Sequence, residues 1–210
     1  MQEITIPTGL YFGKKMTKPQ LYKREITRNY SAHHTFLEIA SIQMELAQQK
    51  KTGWFNEALI SMTFSALAVE ALANAVGHRL WQGHAWEDFE DCKPIIKLER
   101  IAKKLAIPYQ IRNEPWKTIQ WLIKFRNKIA HAKPEPIKQF SKVGHAKKGT
   151  HDINCPESVL ENLVSKNTAK HVLKSVKDLK DIFCKHIPEE ELDGICTDGW
   201  SATTEPIFDM

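Results

Sequence analysis

The chain has 210 residues, 42% hydrophobic and 26% charged, with a formal net charge of +5 and a pI near 8.9. That length fits one domain, and that apolar fraction can fill a core, which excludes a low-complexity chain. The charge favours polyanionic partners but does not by itself establish nucleic-acid binding.

Residues 1 to 28 read as a partly extended, irregular lead-in, broken by Pro7, Gly9, Gly13 and Pro19. Met1 to Lys15 holds no apolar core of signal-peptide length, so no targeting signal is expected. A first helix is predicted from Ser31 to Lys50, capped by Ser31. Its apolar stripe is Phe36, Ile39, Ile42 and Leu46, with Leu37 and Met44 widening the face. The cluster Lys50-Lys51-Thr52-Gly53 ends it.

The second helix, Trp54 to Leu80, is apolar on nearly all sides, as a central helix of a bundle is. Ser61, Thr63, Ser65, Glu70 and Asn74 interrupt its longest apolar run, so a buried helix is expected here rather than a membrane span. Glu70 and Asn74 are four apart and share a face, and another element must supply Glu70 with a donor. Gly77 is a candidate end or kink.

Residues 78 to 91 read as a connection or short helix. A third main helix is predicted from Lys93 to Leu105, with Ile96, Leu98, Ile101 and Leu105 facing inward, and a fourth from Glu114 to His131, capped by Asn113. Lys133-Pro134-Glu135-Pro136 stops that helix. Residues 133 to 156 form a surface loop. A long last helix is predicted from Pro156 to His186, followed by an irregular, acidic tail over residues 188 to 210. The fold class is therefore all-α, a bundle of four to five helices with irregular terminal extensions and one domain over residues 29 to 187.

The four cysteines, Cys92, Cys155, Cys184 and Cys196, form no C-x-x-C pair, so reduced thiols in a cytoplasm are expected and no zinc or redox motif. His33-His34 and His78 with His84 lack metal-ligand spacing. The acidic runs Glu87 to Asp91 and Glu189 to Glu191 read as solvated faces. No metal and no cofactor is expected.

One segment stands out: Phe125-Arg126-Asn127-Lys128-Ile129-Ala130-His131, at the end of a helix and before a proline-rich stop. Asn127 and His131 lie one turn apart, and the long side chain of Arg126 can swing toward them. Four residues separate the arginine from the histidine. With the apolar helix Ser65 to Asn74 upstream, the segment resembles the HEPN superfamily of helical domains over residues 30 to 186.

The resemblance implies metal-independent RNA cleavage by a homodimer, with Arg126, Asn127 and His131 as catalytic residues and Glu70 as a possible support for Arg126. The chemistry suits these side chains. Histidine moves protons near neutrality, and arginine's planar fork holds a phosphate and the charge that develops on it. A helix C-terminus repels phosphate, so two copies of the motif across a two-fold axis are expected to supply the missing cations.

Lys128, Lys133, Lys142, Lys147 and Lys148, with Arg112, form a candidate basic rim for RNA. Trp54, Trp81, Trp86, Trp116 and Trp121 are candidate base-stacking residues, most of them expected in the core or an interface. The resemblance also carries a toxin or phage-defence role, with a cognate antitoxin or regulatory protein as partner. Two other readings stand beside it: a non-catalytic RNA- or nucleotide-binding module of the same fold, and a helical protein–protein interaction domain whose arginine and histidine merely complement the helix dipole.

Overall fold

The computed structural model describes residues 22–138, 156–197 and 199–206. Asn29–Gly199 form one compact unit. It is helical: α1 (Ala32–Gln49), α2 (Phe55–Leu80), α3 (His84–Glu90), α4 (Pro94–Lys104), α5 (Trp116–Ala130), α6 (Val159–Leu163) and α7 (Lys166–His186), then a 3-10 turn at Glu189–Glu191. Two strands, β1 (Tyr22–Asn29) and β2 (Gly199–Pro206), pair in a two-stranded sheet. The lead-in and tail are therefore not wholly irregular. Each strand lacked a partner in its own neighbourhood of the sequence, so no local signal marked the pairing.

The first two helices form the tightest pair. α1 buries His33, Leu37, Ala40, Met44 and Ala47. The small Ala40 and Ala47 let α2 approach closely, and the Ser61 hydroxyl of α2 donates to the Ala40 carbonyl at 2.7 Å. This corrects the predicted face. Ile42 and Leu46, assigned to the buried stripe, are exposed, and Phe36 and Ile39 are only partly buried. Ser31 stands at the helix start but does not cap it; its hydroxyl bonds to His33 Nδ1 at 2.6 Å. Gly53 (φ +66°) makes the turn out of α1 in a conformation that suits glycine.

α2 is long and apolar enough to cross a membrane by length and composition alone. Here it packs against α1, α4, α5 and α7. It runs past Gly77 to Leu80, so that residue does not end it. Glycine is needed there for space: a Cβ would lie 2.1 Å from the ring of Phe89 on α3. On α4 the predicted inward Ile96 is exposed, and Lys97 is buried in its place. At the start of α5 Asn113 makes no side-chain cap; its side chain bonds to Gln110, and Pro115 takes the capping position.

The long last helix is in fact two. Val164 and Ser165 are extended and break it. Each piece starts on a serine cap: Ser158 with Glu161 in a reciprocal box, and Ser165 on the Thr168 N–H. The Ser158-x-x-Glu161 pattern was visible in the sequence and marks the first start.

After α7 the chain doubles back. Cys184 and Cys196 form a disulfide, which corrects the expectation of reduced thiols for this pair. Buried Ile195 is held there as its carbonyl accepts from His33 Nε2 at 2.8 Å, and Arg79 donates to the Asp193 carbonyl at 2.9 Å. The clasp thus joins the starts and ends of three helices. Closing so short a loop constrains the unfolded chain by roughly 3 kcal/mol. Cys184→Ser is expected to lower unfolding stability by that order in denaturant titrations, and a reductant should do the same to the native chain. No change on reduction would mean that the thiols were already free.

Candidate functional site

Arg126 sits near the end of α5, on the side that meets α2. Its Nη2 donates to Glu70 Oε2 at 3.0 Å, and its Nη1 donates to Asn127 Oδ1 at 3.1 Å. The side chains of Arg126 and Glu70 are 36% and 33% exposed, so the pair lies at the surface rather than in the core. A half-exposed pair of this kind adds only about 0–1 kcal/mol to stability. Its effect is positional: two anchors fix the plane of the guanidinium. Beside it, Ala66, Glu70, Pro94, Ile123 and Arg126 line a recess of about 10 Å³, room for about one water.

His131 caps the C-terminal end of the helix. Its backbone N–H donates to the Asn127 carbonyl at 3.1 Å, and its φ and ψ (−118°, 28°) carry the chain off the helix. The side chain is exposed, and its ring makes no hydrogen bond among the described residues. Arg126, Asn127 and Glu70 thus form one hydrogen-bonded chain, and His131 joins it through the backbone with its imidazole in solvent. An imidazole so placed can exchange protons with a bound strand. A guanidinium so placed keeps N–H groups for a phosphate, since it carries five.

Lys128 and Lys133 are exposed at this same end of α5. Arg112 is exposed but precedes the other end of the helix, so it does not join them. Lys142, Lys147, Lys148 and Cys155 lie outside the described residues. No group of three or more His, Cys, Asp or Glu side chains able to hold a metal occurs among the described residues.

Sequence reasoning missed one member of this neighbourhood. Lys97 of α4 is 4% exposed, and its Nζ donates to Asn74 Oδ1 at 2.8 Å. Glu70 and Asn74 are therefore a polar ladder on α2, one rung taken by a cation from α5 and the next by a cation from α4. The available signal was the four-residue step between Glu70 and Asn74, which called for two donors rather than one.

Comparison with models of protein families, with curated proteins and with solved structures returned no match.

Proposed function

We propose that the chain is a metal-independent endoribonuclease of HEPN type, with Arg126, Asn127 and His131 at its site. The observation that carries the reading is the arginine held at the surface by Glu70 and Asn127, five residues before an exposed histidine. In the reaction a ribose 2′-oxygen attacks the adjacent phosphorus, a new P–O bond forms, and the bond to the 5′-oxygen breaks. His131 takes the 2′-hydroxyl proton, or protonates the leaving 5′-oxygen, and solvent water exchanges the other proton. Arg126 holds the phosphate and the added charge of the transition state. Asn127 fixes Arg126 in plane. The products are a 2′,3′-cyclic phosphate and a 5′-hydroxyl.

The test is cleavage of a mixed RNA pool in EDTA with end-group analysis. Cyclic phosphate ends are expected. Intact RNA after incubation with well-folded protein would overturn the catalytic reading. One observation favours the second reading, a non-catalytic RNA- or nucleotide-binding module: Glu70 already neutralises much of the charge that Arg126 would offer a phosphate.

The functional unit in this proposal is a homodimer. What supports it is the apolar outer face of the first two helices. Phe36 and Phe64 meet edge to face at 5.8 Å, and exposed Ile42, Leu46 and Ile60 extend the surface. On α2, Ile60, Phe64 and Leu67 follow one stripe, and Leu67 neighbours Glu70 at a three-residue step. A second copy on this face would bring its own Arg126 toward the first. The double substitution Leu46→Glu and Ile60→Glu is expected to yield monomers by light scattering, with helical content kept and cleavage lost. Monomers that still cut RNA would sink the dimer.

A toxin or phage-defence role, with a cognate antitoxin or regulatory protein and a cytoplasmic setting, belongs to the same proposal. In a cytoplasm that keeps thiols reduced, Cys184 and Cys196 would stand as a dithiol, and the clasp would rest on buried Ile195 and the His33 and Arg79 bonds.

A further inference from the structure

The C-terminal end of α2 and the start of α3 enclose a second, larger recess. His78, Arg79, Trp81, Gln82, Gly83 and Trp86 line about 390 Å³, within the size range of small-molecule sites. Its centre lies away from the arginine site: His78 is eight residues beyond Glu70, about 12 Å along the helix axis.

The recess is built from aromatic rings fixed in a row. Phe89, fully buried, is the anchor. Trp81 stacks on it with centroids 4.6 Å apart and planes 19° apart, and Trp86 stacks on it at 5.7 Å and 28°. His78 meets Trp86 edge-on at 5.1 Å. Arg100 lies over both Trp81 and Phe89, at 5.5 and 5.6 Å. Both tryptophans are only partly buried, so rigid indole surface is presented to solvent. Around it stand groups that read polar edges: the exposed Gln82 amide and the Arg79 guanidinium, which uses Nη2 on the Asp193 carbonyl.

We propose that this recess binds a nucleobase, stacked against Trp86 and Trp81 and read at its edge by Gln82, with Arg79 reaching the attached ribose or phosphate. Flat, partly apolar heterocycles match fixed indole faces, and stacking of this kind accepts every base. The acidic residues of α3, Glu87, Asp88 and Glu90, set a limit on charge: they disfavour polyphosphates, so a nucleoside monophosphate is preferred to a triphosphate. The base can come from a free nucleotide or from an unpaired position in an RNA strand. The site does not depend on the ribonuclease reading.

The test uses the full chain carrying His131→Ala, so that any strand stays whole, and follows tryptophan fluorescence and calorimetry. The probes are adenosine and uridine monophosphates, adenosine triphosphate, ribose 5-phosphate, single-stranded hexa-adenylate RNA and a proline-rich peptide. Binding is expected to require the base, so ribose 5-phosphate should fail, and the triphosphate should bind more weakly than the monophosphate. Trp86→Ala is expected to weaken binding about tenfold or more, the size of one lost base–aromatic stack, while Trp86→Phe stays within a few-fold. Gln82→Ala, an exposed change that disturbs no packing, should weaken it several-fold. Monophosphates binding as well as the hexamer would place the source in free nucleotides; binding of the hexamer alone would place it in RNA. Ribose 5-phosphate matching the nucleotides, the peptide binding where no base does, or unchanged binding in a folded Trp86→Ala protein would overturn the proposal.

Discussion

His131→Ala is expected to slow RNA cleavage by roughly 10²–10⁴-fold, the usual contribution of a positioned general acid or base. The fold should survive, because the side chain is exposed and its ring makes no hydrogen bond among the described residues. Circular dichroism and thermal melting should therefore match the wild type. This pairing of a large kinetic loss with no structural loss separates a catalytic histidine from a helix-end ornament. Glu70→Gln gives a graded companion. The amide oxygen can still accept from Arg126 Nη2, but the charge that competes with a phosphate is gone. RNA affinity should rise or hold while the guanidinium stays placed. If His131→Ala cleaves at the wild-type rate, the observed nuclease is either a contaminant or built from other residues.

Gly77→Ala is expected to destabilise the protein by about 1–3 kcal/mol, the cost of overpacking a filled site. The sign is informative, because the propensity argument points the other way. In an open helix interior, alanine is favoured over glycine by about 1 kcal/mol. Here the added Cβ would lie 2.1, 2.6 and 2.7 Å from Cε1, Cζ and Cδ1 of Phe89. The ring has little room to retreat: it is fully buried, stacked with Trp81 and Trp86, and has Arg100 and Lys97 within 5.7 Å. Steric strain on a trapped ring outweighs the gain in helix propensity. Urea unfolding measures the difference directly. A stabilised Gly77→Ala protein would show that Phe89 shifts freely, and it would remove the rigid anchor on which the aromatic recess depends.

The sequence was most legible where the signal was local. Helical periodicity located α1, α2, α4 and α5 to within about two residues at their ends, the usual uncertainty of helix boundaries. The arginine–histidine spacing marks the end of α5, and Glu70, set in the apolar run of α2, calls for a donor that Arg126 supplies at 3.0 Å. A further local signal is the Ser158-x-x-Glu161 box, which marks the start of α6. Others had no local trace. Nothing near Cys184 announces Cys196 as its partner, since the turn that brings them together is set by burial of Ile195 and its bond to His33. Lys97 reads as a surface residue of an amphipathic helix until Asn74 gives its ammonium a partner.

What the sequence determined by itself is the helical content of the core unit and the spacing of Arg126, Asn127 and His131 at the end of α5. Both follow from spacing along one chain segment. What only the tertiary structure decided is which faces are used. α1 carries two apolar stripes, one bulky and one small, and either satisfies the periodicity. Packing against α2 selected the smaller, because Ala40 and Ala47 allow close approach and bring the Ser61 hydroxyl onto the Ala40 carbonyl. The bulky stripe was left outward, with Ile42 and Leu46 exposed. The same logic governs Arg126: its spacing from His131 is a property of the sequence, but its orientation is set by a carboxylate 56 residues away. Periodicity specifies that a face exists, and only the neighbouring helix settles which face it covers.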